Sequence, residues 1–177
     1  MHNSLARNII LDIDSYKNDH GNMLPANTEY IFSTIVPRRG NRYTNIVKSM
    51  GPQYVIREYL SQRVEPWMLD EAEQELREQG FTFERERWEY ILAKYDGYLP
   101  LEIRAVPEGM FIPVGVATVT LVNTDPKCAW LTTYIETMFQ RVCWKMTTVA
   151  SLSADLYRYL DDMMEKHCGE RGKVNFH

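Results

Sequence analysis

The chain has 177 residues and a net charge of −4, with 45% hydrophobic and 25% charged residues, the composition of an ordinary globular protein. Its 20 basic residues are outnumbered by 24 acidic ones and form no basic stripe, which excludes a nucleic-acid footprint. No apolar run nears the ~18 residues of a membrane span, and the 12% aromatic content argues against disorder.

In chain order, the apolar segment Ile9-Ile10-Leu11, within a run from Asn8 to Ile13, predicts a buried strand. It leads at Asp14-Ser15 into a short helix ending near Gly21. A strand that stops at Asp-Ser and turns into a helix displays side chains at a pocket mouth. Tyr16 stands there, a flat ring with a polar tip near the positive end of a helix. That pairing suits a small aromatic ligand attached to an anion. Residues 29–36 (EYIFSTIV) are β-branched and aromatic and predict a strand. Residues 37–43 (PRRGNRY) form a basic loop, and Ile46 to Met50 is a candidate short strand.

Pro52 and Pro66 each open a helix at the favoured first-turn position. The second places Met68, Leu69, Ala72 and Leu76 on one face, while its acidic residues between Asp70 and Glu78 read as a solvated face. A further helix over 84–95 turns Trp88, Ile91 and Leu92 inward and is capped by Gly97. Residues 101–106 and 117–122 alternate as strands do. Asn123-Thr124-Asp125-Pro126 is a helix-start signal. Two helices are expected after it, 127–144 and 147–167. The second carries Leu152, Leu156, Leu160 and Met163 on one stripe. Trp130, Trp144 and Met163-Met164 lie at core spacing and predict packing. Asp161-Asp162 predicts a surface pair. Val174 and Phe176 read as the first residues of a strand whose unpaired groups want neighbours, so the chain is expected to be a piece of a longer protein.

Cys128, Cys143 and Cys168 are odd in number, with no CxxC, as in a protein with reduced thiols. With no signal-peptide segment at the start, a cytoplasmic location is expected. His167-Cys168 adjacency is poor metal geometry, and no Walker loop or GxGxxG occurs. No metal site is expected.

Six segments, in order, resemble the N-terminal part of the nicotinamide phosphoribosyltransferase family. They are Asp14-Ser15-Tyr16-Lys17 with His20; Trp88 with Tyr90-Ile91-Leu92 and Lys94-Tyr95-Asp96-Gly97; Leu99-Pro100-Leu101-Glu102-Ile103; Ala105-Val106-Pro107-Glu108-Gly109; Asn123-Thr124-Asp125-Pro126; and Trp130-Leu131-Thr132 with Ile135-Glu136-Thr137. The resemblance implies a type II phosphoribosyltransferase, α/β in class, with this chain (1–177) as its N-terminal α+β domain and the catalytic α/β barrel beyond it. It implies transfer of the phosphoribosyl group of 5-phosphoribosyl 1-diphosphate to nicotinamide in NAD salvage. A homodimer with shared active sites and the use of Mg²⁺ are implied too. No catalytic residue and no Mg²⁺ ligand are expected in this piece, which is expected to be inactive alone and to self-associate through faces meant for neighbours. A non-catalytic dimerisation module and a nicotinate-using relative are the alternatives.

By the same resemblance, Tyr16 stacks on the nicotinamide ring from the partner subunit; without it, Tyr16 reads as a packing residue. Asp14 lies beside that pocket, or caps the helix, or both. Arg38 matches an arginine near the phosphates. The context Pro37-Arg38-Arg39-Gly40 departs from the family pattern, so either Arg38 or Arg39 fits that role, and an exposed loop charge is the plainer reading. His20 is in the motif with no chemistry assigned. His177 matches a family histidine close to the pocket.

Overall fold

The computed structural model describes residues 7–40 and 44–174. It is an α+β domain with two small antiparallel sheets and five α-helices. Strands β1 (Phe32–Ile35), β5 (Val119–Asn123) and β3 (Leu101–Ala105) form one sheet in the order β1-β5-β3. Its register pairs Phe32 with Val122 and Val122 with Glu102. Alternation along β5 sends Val119, Leu121 and Asn123 inward, as a half-buried strand requires. Asn123 seals the sheet end: its side chain accepts from Ile31 N and donates to Glu29 O and Asp125 O, each at 2.8 Å. The second sheet pairs β2 (Ile46–Lys48) with β4 (Phe111–Pro113). The sequence reading did not include β4, a three-residue strand between two glycine-marked turns and too short to show a period.

The expected strand at Asn8–Ile13 is instead a 3₁₀ turn, Ile9–Leu11. Ile9 and Ile10 are both buried, whereas successive strand residues point to opposite faces. A tight turn lets both enter one core. Asn8 caps it, accepting from Ile10 N at 3.0 Å while donating to Met68 O at 2.7 Å. The following helix α1 (Lys17–His20) is a single turn.

Helix α2 (Pro52–Val55) runs into a π-helical turn, Ile56–Leu60. Gly51 precedes it at φ 114°, where a Cβ would meet the Cys143 backbone at 3.0 Å. Only glycine suits both demands. Helices α3 (Pro66–Glu78) and α4 (Arg85–Tyr95) follow as the prolines and periodicity predict.

The largest departure is helix α5, one continuous element from Ala129 to Cys168 where two were expected. Residues 144–147 (WKMT) contain neither Gly nor Pro, so nothing interrupts the hydrogen-bond ladder. At 1.5 Å per residue the helix is roughly 60 Å long. Its first part supplies much of the core: Trp130 and Tyr134 pack edge-to-face with Trp88, centroids 5.0 and 5.2 Å away, and Leu131, Ile135, Met138 and Phe139 are buried. Its second part does not. Trp144 is 71% exposed, and Leu152, Leu156 and Met163 are also exposed, against the expectation of packing. The stripe exists, but nothing in the described residues covers it. Asp161 and Asp162 both pair with Arg171. Asp162 is exposed, whereas Asp161 is half-buried. Val174 lies outside any regular element, and Phe176 and His177 fall outside the described residues. No helix among the described residues is long and apolar enough to cross a membrane.

Candidate functional site

A cavity of about 1290 Å³ lies between the end of β1, the basic loop and the middle of α5. Asp14, Arg38 and Arg39 line it from one side; Thr137, Gln140, Arg141, Trp144 and Thr148 line it from α5. Three of the four residues singled out from the sequence therefore share one hollow. Tyr16 is not in its wall. It stands on the same turn as Asp14, 56% exposed.

Arg38 and Arg39 are both exposed and make no ion pair among the described residues. The remaining residues of the basic loop, 41–43, lie outside the description. A fork of guanidinium donors in a hollow fits a phosphate or diphosphate. Arg141 also faces the cavity, but its charge is committed. It pairs with Asp12, a carboxylate 4% exposed, which Arg7 flanks at 2.7 Å on the other side. Among the described residues the cavity is left with two uncommitted cations, Arg38 and Arg39, against one anion, Asp14.

Asp14 does not cap α1. The cap position is Tyr16, without a side-chain bond. Asp14 turns toward α5 instead: its Oδ2 accepts from Thr137 Oγ1 and from the Tyr16 hydroxyl, both at 3.1 Å. With α1 only one turn long, the helix field expected to act beside Tyr16 is also small, since aligned dipoles need length to add. The Tyr16 ring leans on His20, centroids 5.2 Å apart.

Cys143 lines the same cavity, but burial pushes its thiol up to about 12, which disfavours the thiolate at neutral pH. Among the described residues no group of three or more His, Cys, Asp or Glu side chains is placed to hold a metal. The described residues therefore supply no three-ligand Mg²⁺ site of their own.

The cavity residues missed in the sequence are those on α5. Thr137, Arg141 and Thr148 fall on a polar strip with Gln140 and Trp144 at i, i+3 and i+4 steps. In the sequence Thr137 stands out only within a resembling segment and Trp144 only as a packing residue; Gln140, Arg141 and Thr148 carry no signal of their own.

A second hollow of about 610 Å³ lies on the outer face of the three-stranded sheet, beside Phe32, Glu102, Arg104 and Val122. It holds none of the candidate residues.

Away from both hollows, Asp125 anchors the start of α5. It is 4% exposed, caps Lys127 N at 2.9 Å, and accepts from Lys94 Nζ (2.8 Å), Tyr95 (2.6 Å) and Tyr90 (2.8 Å). The Lys94 ammonium, then the Tyr95 hydroxyl, hold its carboxyl well below the usual range.

Residues 8–103 match the family described as nicotinamide phosphoribosyltransferase, N-terminal domain. A nicotinamide phosphoribosyltransferase of Xanthomonas campestris pv. campestris is 33% identical over 159 residues, which cover 90% of this chain and 33% of that protein. One of Acinetobacter baylyi is 32% identical, over 84% of this chain and 32% of that protein. The chain thus spans about a third of the length of these curated relatives. Human nicotinic acid phosphoribosyltransferase shares the fold at TM-score 0.62 and 16% identity, over 84% of this chain and 28% of that one. With more than half of its length matched to the family, the chain belongs to the nicotinamide phosphoribosyltransferase N-terminal domain family.

Proposed function

We propose that this chain is the N-terminal part of an enzyme that transfers the phosphoribosyl group of 5-phosphoribosyl 1-diphosphate to nicotinamide, giving nicotinamide mononucleotide and diphosphate in NAD salvage. The observation that carries the reading is the family match over residues 8–103, the stretch that holds Asp14, Tyr16, Arg38 and Arg39.

Breaking the bond to the anomeric carbon builds positive charge on the ribose, as in glycoside hydrolysis. The departing diphosphate gains negative charge and needs cations held in place beforehand. Arg38 and Arg39, uncommitted in a roomy cavity, have the chemistry for that. The pyridine ring needs an apolar wall. Tyr16, turned out of the core with its hydroxyl tied to Asp14, offers one to a neighbouring subunit. The exposed apolar strip on α5 supports a homodimer with shared sites and a barrel domain elsewhere in the protein, because such strips seek cover. Mg²⁺ belongs with the substrate's diphosphate on this reading, since the described residues supply no carboxylate cluster for it. The free thiols fit a cytoplasmic location.

The test is an assay of the full-length protein with 5-phosphoribosyl 1-diphosphate and either nicotinamide or nicotinate. Nicotinamide mononucleotide is the expected product. Activity with nicotinate alone overturns the substrate assignment.

A further inference from the structure

Tyr16 sits on a short turn anchored at both ends: Asp12 pairs with Arg141 of α5, and the Asn18 side chain donates to Thr82 O. Residues 12–16 are turn and bend, and α1 supplies one helical turn, far short of what a helix needs to stand alone. An aromatic wall is effective only when it is presented in one place, because ordering it at the moment of binding costs affinity.

Two consecutive residues of α5 hold residues 14 and 17, on either side of Tyr16. Glu136 Oε2 accepts from Lys17 Nζ at 2.8 Å, and its other oxygen accepts from Ser33 Oγ on β1. Thr137 Oγ1 donates to Asp14 Oδ2 at 3.1 Å. Residues 14 and 17 flank Tyr16, and each is tied to the same step of α5. The Lys17 and Glu136 side chains are only 10% and 21% exposed, so solvent screens this pair less than a surface pair. A sheltered ion pair is weak evidence for stability, because desolvation offsets its attraction; fixing an arrangement is its better-attested use.

We propose that Glu136 and Thr137 are positioning residues: together they lock the Asp14–Lys17 turn so that the Tyr16 ring keeps a single pose. The proposal rests on the reading of Tyr16 as the wall for the pyridine ring. Glu136 is not in the cavity wall; Thr137 is, with its hydroxyl turned onto Asp14 Oδ2, and each acts on the ring through residue 14 or 17.

The experiment uses the full-length protein with Thr137→Val, Thr137→Ser, Glu136→Ala and Glu136→Gln. If the competent pose falls to about a tenth of the population, KM for nicotinamide rises about tenfold. That rise is expected for Thr137→Val and Glu136→Ala; in Glu136→Ala, whose residue is not in the cavity wall, kcat and the KM for 5-phosphoribosyl 1-diphosphate stay within about twofold of wild type by the same arithmetic. Thr137→Ser, which keeps the hydroxyl, restores the wild-type value, and Glu136→Gln falls between. Loss of folded enzyme alone lowers the apparent kcat and moves neither KM. Wild-type KM for nicotinamide in both Thr137→Val and Glu136→Ala, or an equal rise for both substrates in Glu136→Ala, overturns the proposal.

Amide hydrogen exchange of the ligand-free protein reads the same lock without chemistry. Faster exchange confined to residues 14–20 is expected in Glu136→Ala and Thr137→Val, and unchanged exchange there overturns the proposal. If the wild-type protein fails to act on nicotinamide, the functional reading falls while this measurement still judges the lock.

Discussion

The two parts of helix α5 share one backbone and one periodicity but have opposite fates. From Ala129 to Cys143 the apolar residues are buried against Trp88, β5 and the turn at Ile9–Ile10. Beyond Val149 the same kind of stripe lies open, with Leu152 and Leu156 near half exposure. Amphipathic spacing states which face of a helix is apolar. It does not state whether a partner for that face lies within the same chain.

The sharpest test of this contrast is a pair of alanine substitutions. Phe139→Ala, at a fully buried position, should cost about 3–5 kcal/mol by urea unfolding. Leu156→Ala in the isolated chain should cost less than about 1 kcal/mol. Similar losses would mean that the second part of α5 has cover after all.

Asp125 anchors the buried part, and Asp125→Ala should lose about 2–3 kcal/mol, chiefly from hydroxyl and ammonium donors left without an acceptor. Its depressed folded pKa fixes the sign of the pH effect. The stabilisation is fully present above the ordinary carboxylate value of about 4 and is lost as pH falls through the lower folded value. The stability difference between wild type and Asp125→Ala should therefore hold steady down to about pH 5 and shrink only in stronger acid. A difference already gone near neutral pH would remove this role.

The exposed part should reveal itself in association. The isolated chain is expected to self-associate by light scattering, and Leu152→Glu with Leu156→Glu to shift it toward monomer, since a large apolar strip seeks cover. A wild-type monomer at high concentration breaks the comparison.

The smallest effect is chemical. At neutral pH iodoacetamide should label Cys168, exposed at the far end of α5, well before Cys143. Burial pushes the Cys143 thiol up to about 12, as it pushes that of Cys128 to about 11. Comparable labelling of Cys143 by mass spectrometry would show that the buried part opens readily.

Much of the fold was legible because its signals are local. Pro52 and Pro66 do open helices, Asp125 does cap, and β5 alternates as read. The failures have local causes too. Three apolar residues at Ile9–Leu11 look the same in a strand and in a tight turn, and only the core beneath them decides. For the candidate site, residue types were readable and roles for Asp14, Tyr16, Arg38 and Arg39 followed from a resemblance. The gathering of Asp14, Arg38 and Arg39 with Thr137 and Gln140 was not, because those pairs lie about a hundred residues or more apart in the chain.

By itself the sequence determined the helices from Pro52 to Tyr95, the apolar faces and the family, since propensity, capping and motif order are properties of neighbouring residues. Tertiary structure alone decided that the far part of α5 stays bare and that Glu136 and Thr137 grip the turn carrying Tyr16. Those outcomes depend on contacts between distant segments, whose energies no local pattern encodes.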